Sequence, residues 1–257
     1  MAHNPQRVER LRMQFESQQD SVLGLKIARA IVLGKIHNSR LLLRYLRKQG
    51  SWDSQKAIAQ LSTLEARIPA CEQVSSLLGY EGTAAHSYFS ALAPMFPADW
   101  HFSGRHRQPP PDPANAMLSL GYALLYRWML AWILVHRMNP DIAYLHSLRN
   151  GHAALASDLI EEFRAPVVDF TVLQLVHKQK LSPSDFDIQA DGGWKLKPTG
   201  LKVYLEALEQ RMHTSVKHPV TLEQVSFQRC MELQVLQILA ILEGRIQDYV
   251  PYSPSNW

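Results

Sequence analysis

Cysteine is nearly absent from this 257-residue chain: Cys71 and Cys230 are the only two, and neither belongs to a CxxC pair. That excludes a disulfide framework and predicts a reducing, cytoplasmic compartment. The first twenty residues, MAHNPQRVERLRMQFESQQD, are polar and charged and hold no secretory apolar segment. Long hydrophobic runs are scarce as well. The one candidate, AMLSLGYALLYRWMLAWILVH (116–136), is long enough to span a bilayer, but Arg127 sits in its middle and Asn115, Ser119 and Tyr122 crowd its start. A buried core helix is therefore expected, and no membrane partner. Internal repeats are missing, and strand signals reduce to FDIQADGGWKLKPTG (186–200), where Asp191-Gly192-Gly193 separates two short alternating runs.

What is present is helical period. With 46% hydrophobic residues the chain can bury one substantial core. Apolar spacing predicts helices over 22–50, 51–70, 71–96, 116–136, 200–213 and 221–246, with a Pro-rich loop at 109–116. Asn139-Pro140 reads as the start of a short helix closed by Asn150-Gly151, and another helix begins near 152. The expected class is all-α with one small β-hairpin (186–198), a single catalytic domain over 1–257, an N-terminal extension or linker at 1–20 and an irregular tail at 249–257.

Charge is uneven. Residues 1–50 carry ten Lys/Arg against three Asp/Glu, a balance of +7 inside a net charge of +4. An anionic partner facing that end is one reading, a solvated basic helix the other.

Three elements stand out as candidate ligands. Glu81 aligns on a helical wheel with Leu77, Leu78, Ala85, Tyr88 and Leu92, where an ionised carboxylate is costly unless paired or bound to a cation. An arginine partner, or a helix break at Gly82, would equally satisfy it. His146 and His152 precede a helix bearing Asp158, Glu161 and Glu162. Leu155, Leu159, Ile160 and Phe163 define that helix's core arc. Glu161 lies nearly opposite it, among Ala154, Ser157 and Asp158, whereas Glu162 sits at its edge, where a structural salt bridge is natural. Asp158 and Glu161, three apart, can converge. Asn115, Ser119, Tyr122 and Tyr126 form a polar stripe on the apolar helix, which either satisfies the interior or lines a site.

Three ordered blocks, YEGTAAHSYFSAL (80–92), RHRQPPPDPANAMLSLGYALLY (105–126) and NPDIAYLHSLRNGHAALASDLIEEFRAPVVD (139–169), resemble the CRISPR-associated integrase family known as "Cas one", which inserts new spacers into CRISPR arrays. KIHNSRLLLR (35–44) before them and SPSDFDIQADGGWKLKPTG (182–200) after them are similar to the family's linker helix and hairpin region. The resemblance implies a metal-dependent DNA endonuclease and integrase that joins the 3′-hydroxyl of a short DNA to a repeat phosphodiester by transesterification. It implies Mg²⁺ or Mn²⁺ as cofactor, with Glu81, His146 and Glu161 as metal ligands and Asp158 at the first position of the family's acidic motif. It places the family's motif asparagine on Asn115 and its nearby tyrosine on Tyr122, expected at the scissile phosphate. His152 and Glu162 match no ligand position.

Phosphate contacts are expected from Arg40, Arg44, Arg47 and Lys48 on one helical stripe, and next from Arg105, Arg107 and Arg164 beside the site blocks; solvation is the plain alternative for each. The implied partners are double-stranded DNA, a second copy of the chain and a small "Cas two" protein. Typical members carry an N-terminal β-rich domain that this sequence does not show, so a fragment of a longer protein, a reverse-transcriptase fusion and a naturally short member all remain open. Two rival readings are a nuclease that cuts branched DNA without integrating and a non-catalytic DNA-binding subunit.

Overall fold

The computed structural model describes residues 5–254 except 51 and 107. It is all-α with two small antiparallel hairpins. Helix α1 (Pro5–Gln19) leads into the long α2 (Ser21–Gln49), which packs against α3 (Gln55–Arg67) and α4 (Val74–Leu92). The apolar α5 (Pro113–Val135) lies against α6 (Ala154–Ile160). A π-helical turn (Arg164–Asp169) joins α6 to α7 (Phe170–His177). Strands β1 (Phe186–Ile188) and β2 (Trp194–Leu196) form the expected hairpin, followed by α8 (Pro198–His213), a second hairpin of β3 (Ser215–Lys217) and β4 (Gln224–Ser226), and α9 (Phe227–Leu242).

Local chemistry accounts for the boundaries. The Asp20 carboxylate accepts from Val22 N and Leu23 N, both at 3.0 Å, and starts α2. That helix buries Ile27, Ile31, Leu42 and Leu46 along one arc and ends in Arg47 and Lys48, whose charges suit its C-terminal dipole. Asp112 caps α5 by accepting from Asn115 N at 2.8 Å, with Pro113 at the first helical position, so the proline-rich loop stops earlier than expected. The β1–β2 turn needs Gly192, whose φ of +80° suits glycine, and Asp191 Oδ1 accepts from Gly193 N at 2.9 Å. Helix α5 buries Met117, Gly121, Leu125, Met129 and Ile133 on one face, while Ala123, Arg127, Ala131 and Leu134 are exposed. It is a core helix on one side only.

Four expectations need correction. Of the extension or linker expected at 1–20, residues 5–19 form a helix, which excludes the linker, docked by buried polar contacts: Gln14 bonds both the N–H (2.7 Å) and the carbonyl (3.0 Å) of Asn139, and Ser17 Oγ pairs with Tyr144 Oη at 3.0 Å. Residues 139–150 form no helix, because the Asp158 carboxylate takes the amides of Tyr144, Leu145 and His146 that a helix would direct to its own carbonyls. A second hairpin occupies 215–226, too short to show as alternation, and α9 therefore begins at Phe227, capped by Ser226. It ends by Gly244 (φ +69°), short of 246.

The tail is irregular over its described residues, yet it is anchored. It crosses α2 at Gly34, where a Cβ would stand 2.6 Å from Pro251 Cβ, so only glycine allows the approach. Tyr249 and Tyr252 are buried, and Asn38 Nδ2 donates to the carbonyls of both Glu162 (2.7 Å) and Tyr252 (2.8 Å).

Candidate functional site

The three sequence blocks converge on one groove of about 940 Å³, lined by Lys35, Glu81, Arg105, Tyr122, His152 and Arg164 among others. Helix α4 runs unbroken through Gly82 and aims Glu81 at this groove. Its partner is neither solvent nor an arginine. It is Lys35 of α2, whose ammonium bonds Glu81 and also lies 2.6 Å from Glu161 Oε2. Glu161 is 3% exposed, not turned away from the core, and its Oε1 lies 3.0 Å from Arg164. Burial alone pushes this carboxyl up. The charges of Arg164 and then Lys35 more than reverse that and hold it down at about 2, with His146 adding a smaller pull.

Asp158 is fully buried at the start of this assembly. Its Oδ2 accepts from Tyr144 N (2.8 Å) and Leu145 N (2.9 Å), and its Oδ1 from His146 N (3.0 Å) and His146 Nδ1 (2.8 Å). A carboxylate only accepts, so Nδ1 donates to it, and Nε2 is the ring nitrogen that Asp158 does not engage. Asp158 thus orients His146 and has no oxygen left over for a further ligand.

Among the described residues, no group of three or more His, Cys, Asp and Glu side chains stands placed to hold a metal. Lys35 separates the two carboxylates instead. The donor set nevertheless suits a hard divalent cation: two carboxylates, of which Glu161 keeps a buried Oε2 that makes no well-directed hydrogen bond, and an imidazole whose Nε2 is not engaged by Asp158.

Tyr122 is placed differently from expectation. Its hydroxyl donates to Asp169 Oδ1 at 2.5 Å, while Tyr88 donates to Oδ2 at 2.7 Å. Burial raises the Asp169 carboxyl to about 6, an effect that the two tyrosines and then Arg164 and Arg105 restrain. With its one proton committed, Tyr122 cannot also donate to a phosphate. Its ring is flanked by two guanidinium groups, Arg164 at 4.9 Å and Arg105 at 5.4 Å from the centroid. Arg105 is further held by Asn115 Oδ1 (2.9 Å) and Ser119 Oγ (3.0 Å), and Arg164 Nε is buried with no hydrogen bond.

The expected DNA contacts divide. Asn115 is fully buried, its amide engaged by Asp112, Gly104, Arg105 and His106, so it shapes the arginine loop and cannot reach DNA. Arg40 is 9% exposed and pairs with Glu65 at 2.6 Å, because α3 brings that carboxylate against it. Arg44, Arg47 and Lys48 are exposed, about 13–20 Å further along α2 than Lys35. Arg105 and Arg164 line the groove. Arg107 lies outside the described residues. Sequence reasoning missed Lys35 and Asp169; Lys35 carried a legible signal, a lysine in phase with Ile31 and Leu42 on the buried arc.

Among the described residues Glu162 has no salt bridge; its partners are neutral donors. It accepts from Tyr249 Oη (2.5 Å), Gln234 Nε2 (2.8 Å) and Tyr252 N, tying the tail to α9. Burial pushes its carboxyl up from 4.5 to about 8, against the pull of those donors. Between these values the folded chain holds a proton that the unfolded chain has released. The stabilisation is full below pH 4.5 and is lost as pH rises through 8, at up to about 1.4 kcal/mol per unit. The melting temperature should therefore fall from pH 5 to 8, and Glu162→Gln should flatten that slope; thermal melts at several pH values give the answer, and an unchanged slope rejects a neutral Glu162.

Comparison with known proteins follows the same residues. The family model described as CRISPR associated protein Cas1 matches residues 1–210. A CRISPR-associated endonuclease Cas1 of Methanospirillum hungatei is 34% identical over 229 residues, which cover 89% of this chain and 67% of that protein. Among solved structures, a Cas6-RT-Cas1–Cas2 complex aligns at a TM-score of 0.83 and 26% identity, over 96% of this chain and 27% of the matched chain. A casposase bound to its integration product shares the fold, with a TM-score of 0.86 and 22% identity, over 97% of this chain and 70% of that one.

Proposed function

This chain belongs to the Cas1 family of CRISPR-associated proteins, and on that premise we propose that it is a metal-dependent DNA integrase of CRISPR adaptation. It joins the 3′-hydroxyl of a short spacer DNA to a phosphodiester of the repeat by transesterification. The observation that carries this reading is the convergence of Glu81 and Glu161, from distant segments, on a single cation at the wall of an arginine-lined groove.

Glu81, Glu161 and His146 Nε2 would hold Mg²⁺ or Mn²⁺, which supplies charge stabilisation to phosphoryl transfer when bound. The chain's own groups do the rest. Arg105 and Arg164, spaced by the Tyr122 ring, present cations to the non-bridging oxygens of the phosphate under attack. Asp169 fixes that ring, and Asp158 fixes the His146 tautomer. The attacking hydroxyl gives up its proton as it forms the new P–O bond, and the repeat's 3′-oxygen leaves and takes a proton up, so the exchange conserves both bonds and protons. A second copy of the chain, a Cas2-type protein and a fused or separate reverse transcriptase are the proposed partners; the Cas2 and reverse-transcriptase readings are supported by the composition of the Cas6-RT-Cas1–Cas2 complex that this chain resembles.

The test is joining of a short duplex into supercoiled plasmid, with and without Mn²⁺. Metal-dependent joining is expected. Cleavage of branched DNA without joining would make the protein a nuclease only, and duplex binding with neither reaction would make it a binding subunit.

Phosphate contacts are tested separately. The double substitution Arg44→Ala/Lys48→Ala should lower the salt dependence of duplex affinity by about 1–2 in the log–log slope. Arg40→Ala should leave that slope unchanged, since Arg40 is spent on Glu65. Equal slopes for wild type and the double variant would remove the end of α2 from the interface.

A further inference from the structure

Lys35 takes part in none of the motif blocks that supply the ligands, yet among the described residues it is the one cationic side chain that pairs with both carboxylates. It comes from the middle of α2, its own carbonyl accepting from Ser39 Oγ at 2.9 Å, so its backbone is held in the helix while its stem reaches the groove. The ammonium is largely out of water, with the side chain 13% exposed, between Glu81 at 22% and Glu161 at 2%. Two carboxylates so close together repel unless a cation stands between them. Lys35 is that cation, tethered to the protein.

A divalent ion bridging the same two carboxylates and the Lys35 ammonium cannot share this space. Two cationic centres a few ångströms apart in a partly desolvated site repel strongly. The ion therefore binds only as the ammonium leaves. The place open to it is the groove, which Lys35 already lines together with Arg105 and Arg164. An empty groove gives the displaced ammonium no anion. A groove holding DNA gives it a phosphate.

We propose that Lys35 is an exchangeable internal counter-cation, which holds the ligand position between Glu81 and Glu161 closed to metal until a DNA phosphate in the groove receives it. This rests on the reading of Glu81 and Glu161 as metal ligands. Its consequence is positive coupling: DNA strengthens metal binding and, by linkage, metal strengthens DNA binding by the same factor. The free protein then carries little metal, and strand chemistry waits for substrate.

Calorimetric Mn²⁺ titrations of the whole chain, with and without a short duplex, test this without reference to activity. In the absence of DNA, Lys35→Met should bind Mn²⁺ at least about ten-fold more tightly than wild type. Duplex should tighten Mn²⁺ binding about ten-fold in wild type and much less in Lys35→Met. Lys35→Arg keeps the charge and offers a fork to the carboxylates, so it should bind Mn²⁺ more weakly than wild type without DNA. This variant preserves the test if Lys35→Met fails to fold. Equal or weaker Mn²⁺ binding by a folded Lys35→Met, or unchanged binding by Lys35→Arg, overturns the proposal. The metal site itself is judged by Glu161→Gln. If this substitution abolishes Mn²⁺ binding while Lys35 variants match wild type, the site stands and the counter-cation role falls. If Glu161→Gln binds Mn²⁺ as wild type does, both fall.

Discussion

Glu161→Gln is expected to abolish metal-dependent strand joining, by about a thousand-fold or more, equivalent to about 4 kcal/mol of lost transition-state stabilisation. The substitution conserves size and removes the charge. The size of the effect follows from what the neighbouring acids are already doing. Asp158 accepts four hydrogen bonds and is fully buried. Glu162 is turned to the tail by Tyr249 and Gln234, and burial favours its neutral form. Asp169 is occupied by Tyr88 and Tyr122. None can rotate into the position of Glu161 without abandoning buried donors, each of which costs about 1–3 kcal/mol when left unsatisfied. Plasmid joining by the purified variant, beside a thermal melt to verify folding, gives the result. Glu162→Gln at pH 7 is the matched control and should keep joining, because its neutral side chain resembles the form that burial favours. Joining by Glu161→Gln at the wild-type level would sink the ligand assignment.

The helices that carry the site were legible because each packs one face. The period of 3.6 over α2, α4 and α5 survives in the structure with boundaries set by Asp20 and Asp112 caps. Glu81 was conspicuous for a sound reason: a carboxylate in an apolar stripe must have a partner, and it does. Helical phase set Glu161 apart from Glu162 but misjudged their surroundings. It put Glu161 nearly opposite the core arc and Glu162 at its edge, whereas both are buried, and the difference is that Lys35 and Arg164 reach Glu161. What stayed hidden depends on distant segments. Arg40 looked free until α3 delivered Glu65. Tyr122 looked available until Asp169, 47 residues on, accepted its hydrogen bond. The stretch 139–150 has helical caps in its sequence, and loses that helix to Gln14 from one side and Asp158 from the other. Local propensity yields there to buried acceptors that no short window contains.

Asp158→Asn is the second large effect expected, and it differs in kind from the first. The amide has one oxygen where the carboxylate has two, and its NH₂ would face two donors in a site with no exposure. Whichever way it flips, at least one buried backbone N–H loses its acceptor: those of Tyr144 and Leu145, or that of His146, whose ring would then have to change tautomer. The cost is about 2–4 kcal/mol, and with about 2–4 °C per kcal/mol for a chain of this size the melting temperature should drop by about 5–15 °C. Joining per folded molecule should fall as well, since His146 is no longer held with Nε2 free for a ligand. His146→Ala separates the two consequences. Its ring is one-third exposed and its backbone amide stays on Asp158, so it should lose joining with little change in melting temperature. An Asp158→Asn protein that melts with wild type would show that the 139–150 loop does not depend on this carboxylate. One that melts low but joins normally per folded molecule would show that His146 needs no orientation. The expected pattern, low melting and lost joining in Asp158→Asn against lost joining alone in His146→Ala, assigns one buried acid to both the shape of the loop and the tautomer of the histidine it carries.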